Sequence, residues 1–258
     1  MDDFHDRLYL SSLEGSQIET EAKPYLSLPR QVWVIAKHLE EHGTTMSQED
    51  VDLGRGYPLT MAKFLCYRED DPTQKPAFMR IYHQIPVLDT EYSKATVRSR
   101  QAFPIMEPVE PQALRILKKK GSQVTPAFLG YQLGQQEPDD IVPGGFFTCI
   151  VWDKVPGEAL TSEYFWNLNR QDRDSIRREF RRVYDFCLSG SSQGPLHPQI
   201  LFMMKFLNRC SYISGFSGAA FPNTSQQWTD SLYVHYDLAN LVKGLTGLSI
   251  LTSGSFEQ

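Results

Sequence analysis

The sequence has no run of about 20 apolar residues, the length a helix needs to cross a bilayer, and it shows no fixed-period repeat or low-complexity tract. Its opening, MDDFHDRLYLSSLEGSQIE, carries acids at the start and no long apolar core, which argues against a secretory leader. Cysteine is scarce: Cys66, Cys149, Cys187 and Cys210 are widely spaced and form no CxxC pair. That spacing excludes a zinc ribbon and a dense disulfide framework, and predicts buried thiols in a reducing cytosol. Basic charge is also short, with 26 Lys and Arg against 31 Asp and Glu, a net charge of -5. Such a surface gives no general attraction for nucleic acid or anionic lipid, so neither is expected as a partner. The expectation is a soluble, cytoplasmic protein.

What is present is enough apolar material, 41% of the chain, to bury a real core. From Pro29, PRQVWVIAKHLEEHG places Val32, Ile35, Ala36 and Leu39 at helical spacing before Gly43, and predicts a helix of about three turns. KFLCYRE and AFMRIYHQIP read as strands separated by the turn formers DDPTQKP. EPVEPQALRILKKKG predicts a helix with Ala113, Leu114 and Leu117 on one face, cations in its last turn and Gly121 beyond. PAFLGYQLGQQ and GGFFTCIVWDKV again read as strands. In the second half, Asn169 caps a predicted helix on which Ile176, Phe180, Val183 and Cys187 recur, with Arg177, Arg178, Arg181 and Arg182 read as its solvated face. QILFMMKF and CSYISGF follow as strand-like pieces.

The segment VPGGFFTCIVWDKVPGEAL, the Phe165-Trp166 pair, AFMRIYHQIP, TPAFLGYQ, the IRREF helix and WTDSLYVHYDLA occur in an order that resembles the kinase-like proteins of filamentous fungi. These belong to the protein kinase and aminoglycoside phosphotransferase superfamily. The resemblance runs from about Gly54 to Ala239. It implies an α+β, two-lobed protein-kinase-like fold: an N-terminal arm over 1–28, a small antiparallel-sheet lobe with one packed helix over 29–155, and a short helical large lobe over 156–258. The hinge would be Asp153-Lys154-Val155, with Trp152, Asp153 and Val155 lining a cleft between lobes.

Phosphotransferases of this kind grip phosphate with a strand lysine paired to a helix glutamate, and hold Mg²⁺ with an asparagine and an aspartate. The resemblance puts Arg80 at the lysine position and Glu110 as its partner. The metal aspartate falls at Gly215, the asparagine near Phe202 and the catalytic aspartate near His197. Gly215 and Phe202 have no side-chain oxygen, so no metal-holding residue is assigned, although the imidazole of His197 has the chemistry of a base. In LGRGYPLT, Gly54 and Gly56 form only part of a phosphate-loop pattern and read as a turn. The sequence therefore points to a pseudokinase-like binding or regulatory protein. It would take a small molecule or protein partner in the cleft and accept ATP, if at all, without Mg²⁺. The alternatives are an active ATP-dependent phosphotransferase with displaced groups, and a non-phosphoryl enzyme of fungal metabolism.

Overall fold

The computed structural model describes residues 8–105, 107–123, 125–155, 158–188, 203–207, 210–214, 228–244 and 247–251. In it the segment from Gln31 is a 14-residue strand, β2 (Gln31–Thr44), and not the expected helix. The run Val32-Trp33-Val34-Ile35 is β-branched and aromatic, which favours a pleated backbone. Trp33 and Ile35 alternate inward and are buried, while Leu39, the end of the helical spacing, is exposed. Bulges between Ile35 and Lys37 and between His38 and Glu40 interrupt the pairing of β2.

The strands read from KFLCYRE, AFMRIYHQIP, PAFLGYQLGQQ and GGFFTCIVWDKV are present as β3 (Leu59–Arg68), β4 (Ala77–Gln84), β5 (Phe128–Gln135) and β6 (Phe146–Asp153). With β1 (Gln17–Thr20) they make one antiparallel sheet in the order β1-β2-β3-β4-β6-β5. Helices α1 (Gln48–Asp52) and α2 (Ala95–Arg98) are short. Gly54 follows α1 at φ +68°, within the turn that the sequence suggested there. The QALRIL segment is α3 (Val109–Lys119), followed by Gly121 at φ +67°.

Period-two alternation gives the sheet two chemically different faces. Thr60, Ala62, Phe64 and Cys66 of β3 are buried, whereas Met61, Lys63 and Leu65 between them are half-buried on the opposite side. The buried side continues through Trp33, Ile35, Met79, Ile81, Cys149 and Val151 into one core, with Leu10 packed on it. Cys66 and Cys149 are free thiols in that core, and burial pushes the Cys66 thiol up to about 12.

The sheet curls into a nearly closed barrel, because its two edges, β1 and β5, come together. Gly130 allows the approach: a Cβ there would stand 2.8 Å from Thr20 Oγ1. Thr20 Oγ1 is held by the Trp33 indole, whose Nε1 donates to it at 3.1 Å. Across the seam the Glu21 amide donates to Gln132 Oε1 at 3.1 Å, and the hydroxyls of Tyr25 and Tyr131 share a hydrogen bond.

The chain divides into two compact units, Met1–Arg115 with Ala127–Lys154, and Ile116–Pro126 with Val155–Gln258. The second unit overturns the expected helical large lobe. Its described elements include a three-stranded sheet of β7 (Glu158–Ala159), β8 (Met203–Leu207) and β9 (Cys210–Ser214), and a hairpin of β10 (Asn240–Gly244) and β11 (Gly247–Leu251). Helices α4 (Ser162–Asn167) and α6 (Ser231–His235) have six and five residues, so among the described residues of this unit only α5 (Arg170–Leu188), with 19, is long. A nearly closed barrel in the first unit, with small sheets and few helices among the described residues of the second, is not the two-lobed kinase-like fold inferred from the motif order. Motif order constrains which elements follow one another; it does not fix how far a sheet curls or how a later segment pairs.

Within α5 the Asn169 carboxamide accepts from the Asp172 amide at 3.0 Å, the cap read from the sequence, and Ile176 and Phe180 are buried. Arg177 departs from the solvated face assigned to it. It is buried, its Nε donates to the Leu238 carbonyl at 2.7 Å and its Nη1 to Asp174 at 2.8 Å. Phe180, Trp228 and Tyr233 pack as an aromatic cluster beside it.

Candidate functional site

Strand alternation in AFMRIY puts Phe78, Arg80 and Tyr82 on the sheet face opposite the core. In antiparallel register, Arg80 stands across from Lys63 of β3 on one side and Ile150 of β6 on the other, and Phe78 across from Trp152. Glu110, in the first turn of α3, reaches this face. Its carboxylate accepts two hydrogen bonds from Arg80 Nη1, at 2.7 and 2.6 Å, and a third at 2.5 Å from the Tyr82 hydroxyl. Both partners of the pair are buried, at 5% exposure for Arg80 and 2% for Glu110.

Burial, the largest influence, would lower the Arg80 guanidinium, but the Glu110 charge, Tyr82, the hydrogen bond to Glu110 and the Glu40 charge together raise it above its ordinary value. Tyr82 is pushed well above the ordinary tyrosine range by burial and then by the negative charge of Glu110. The hydroxyl therefore stays a proton donor to the carboxylate, and the three side chains form a closed charge-assisted network.

Aromatic rings lie under the cations. The Arg80 guanidinium is 5.4 Å from the Trp152 ring centroid and Lys63 Nζ is 4.9 Å from that of Phe78, with the two rings 6.0 Å apart. Glu40 of β2 completes the cluster, its Oε1 3.6 Å from Lys63 Nζ and 3.8 Å from Arg80 Nη2.

Of the residues named from the sequence, Arg80, Glu110 and Trp152 come together here. Asp153 does not join them: its carboxylate pairs with Lys75 at 3.0 Å and its amide donates to the Ala127 carbonyl at 2.9 Å, a brace at the end of β6. Val155 is buried in the second unit. His197, Phe202 and Gly215 lie outside the described residues. Tyr82 and Phe78 went unnoticed, although the alternation in AFMRIY carries their signal. Lys63 and Glu40 have no sequence signal, because their place depends on register across two strand pairs.

Among the described residues no group of three or more His, Cys, Asp or Glu is arranged to hold a metal ion, and no helix is long and apolar enough to cross a membrane. Compared with protein-family models the chain matches none, and no curated protein matches it.

Proposed function

We propose that the protein acts by binding a small molecule and does not transfer phosphoryl groups. The observation that carries this reading is the donor set around Arg80: two cations, a phenol and two aromatic rings, with both carboxylates of the cluster, Glu110 and Glu40, facing those cations. Phosphoryl transfer draws on a divalent cation bridging the phosphates, and such an ion wants several hard oxygen ligands. A divalent ion brought to Glu110 would meet the Arg80 guanidinium at hydrogen-bond distance, where like charges repel strongly. Cations over aromatic rings suit a planar anionic molecule instead. A nucleotide held without Mg²⁺ is one candidate, and the motif resemblance to kinase-like proteins supports trying it first. The buried free thiols Cys66 and Cys149 fit a cytoplasmic setting.

A thermal-melt titration with ATP, run with and without Mg²⁺, tests this reading, since a ligand of the native state raises apparent stability. The expected shift is the same in both series. Stabilisation that appears only with Mg²⁺ would overturn the proposal.

A further inference from the structure

A cavity of about 300 Å³ lies within the first unit and shares no residue with the Arg80 cluster. Three separate segments wall it, and each is braced from behind. Leu8 and Tyr9 form one wall, where the buried Glu41 carboxylate accepts from the Tyr9 amide at 2.7 Å and from the Thr60 hydroxyl at 2.8 Å. Pro86, Glu91 and Arg98, in the chain after β4, form the second. There Gln101 Oε1 accepts from the Val87 amide at 3.1 Å, and Gln84 Nε2 donates to the Gln101 carbonyl at 2.6 Å. Asp139, Asp140 and Ile141, between β5 and β6, form the third, tied down by the Val142 amide, which donates to Gln136 Oε1 at 2.7 Å. Arg98 joins the second wall to the third, its Nε donating to the Ile141 carbonyl at 2.6 Å. A pocket whose walls are fixed before binding loses little order when it fills.

The charges around this cavity are unequal, with three carboxylates lining it against one guanidinium. Arg98 spends Nε on Ile141 and Nη1 on the Ser93 carbonyl, and Asp140 accepts from the Glu137 amide at 2.7 Å. The carboxylates of Glu91 and Asp139 make no hydrogen bond or ion pair among the described residues. That balance attracts a cation. A divalent metal is the poorer fit, because a guanidinium stands among the carboxylates and no three acidic or metal-ligating side chains among the described residues are arranged to hold one. An ammonium brings three donors on a single charge. Leu8, Pro86 and Ile141 supply an apolar surface for the rest of such a molecule.

We infer that this cavity binds a small organic monocation, a primary amine on an apolar body, whose ammonium is taken by Glu91 and Asp139. The site is additional to the anion-binding face proposed above and does not depend on it.

The test is calorimetric titration of the full chain with 2-phenylethylamine, with its neutral isostere 2-phenylethanol, and with MgCl₂ alone. The amine is expected to bind about tenfold or more tightly than the alcohol. Glu91→Gln and Asp139→Asn each weaken the amine by about fivefold, and the double variant weakens it further, while Glu40→Gln on the Arg80 face leaves its affinity unchanged. Melting curves establish that the variants are folded. Absence of amine binding, alcohol binding as tightly as the amine, Mg²⁺ displacing the amine, or an unchanged affinity in the double variant would overturn the site. The ATP titration reads other residues, so either result can fail without the other.

Discussion

Arg80 and Glu110, 30 residues apart in the chain, meet through hydrogen bonds of 2.7 and 2.6 Å and fasten the start of α3 to the barrel. Removing one partner leaves an uncompensated buried charge, whereas removing both does not. Arg80→Met and Glu110→Met are each expected to cost about 3–5 kcal/mol, and the double variant to recover much of that loss. Chemical denaturation of the four proteins measures the coupling. Additive losses would show that the pair does not act as a unit.

At the seam, Gly130 lets β5 lie against Thr20 with no room for a side chain. Gly130→Val is expected to destabilise by about 1–3 kcal/mol through overpacking. Combined with Gly130→Ala, Thr20→Ala is expected to lose less than the sum of the two single losses, because it removes the hydroxyl and the methyl group that the new Cβ would meet at 2.8 and 3.3 Å. Thermal melts of the single and double variants check this.

His83 supplies a pH dependence. Burial holds its imidazole below its ordinary value, against the opposing charge of Asp140. The unfolded chain therefore binds this proton more readily, so the contribution of neutral His83 is fully present above the unfolded value of 6.5 and is lost as pH falls below it. His83→Gln is expected to flatten the stability slope between about pH 7 and 5 relative to wild type. An unchanged slope would assign the acid sensitivity to other groups.

In the second unit, Arg177 donates to the Leu238 carbonyl from inside the helix face. Arg177→Met removes a charged donor and leaves that carbonyl without this bond, at an expected cost of about 1.5–3 kcal/mol. Arg178→Met on the exposed side of α5 is expected to change stability by less than about 0.5 kcal/mol. Hydrogen exchange at the Tyr233–Ala239 amides reads the difference locally.

The strands β3 to β6 and the helices α3 and α5 were legible because their apolar alternation or spacing agrees with their turn residues. β2 was not, since Val32, Ile35 and Leu39 satisfy helical spacing while Trp33 and Ile35 satisfy alternation equally well. Tertiary pairing with β1 and β3 decided between them. The Arg80–Glu110 pair was anticipated through motif resemblance, but Lys63 and Glu40 join it only through strand register. Curling of the sheet depends on small features, Gly130 against Thr20 among them, that no local pattern announces. Arg177 was misread because charge pattern alone does not reveal a carbonyl arriving from Leu238, 61 residues away.

The most direct test of the central claim is phosphoryl transfer itself, measured as ATP turnover with saturating Mg²⁺ for wild type and the Arg80→Met/Glu110→Met double variant. The account predicts that both equal the protein-free background. Wild-type turnover above background that disappears in the folded double variant would contradict it.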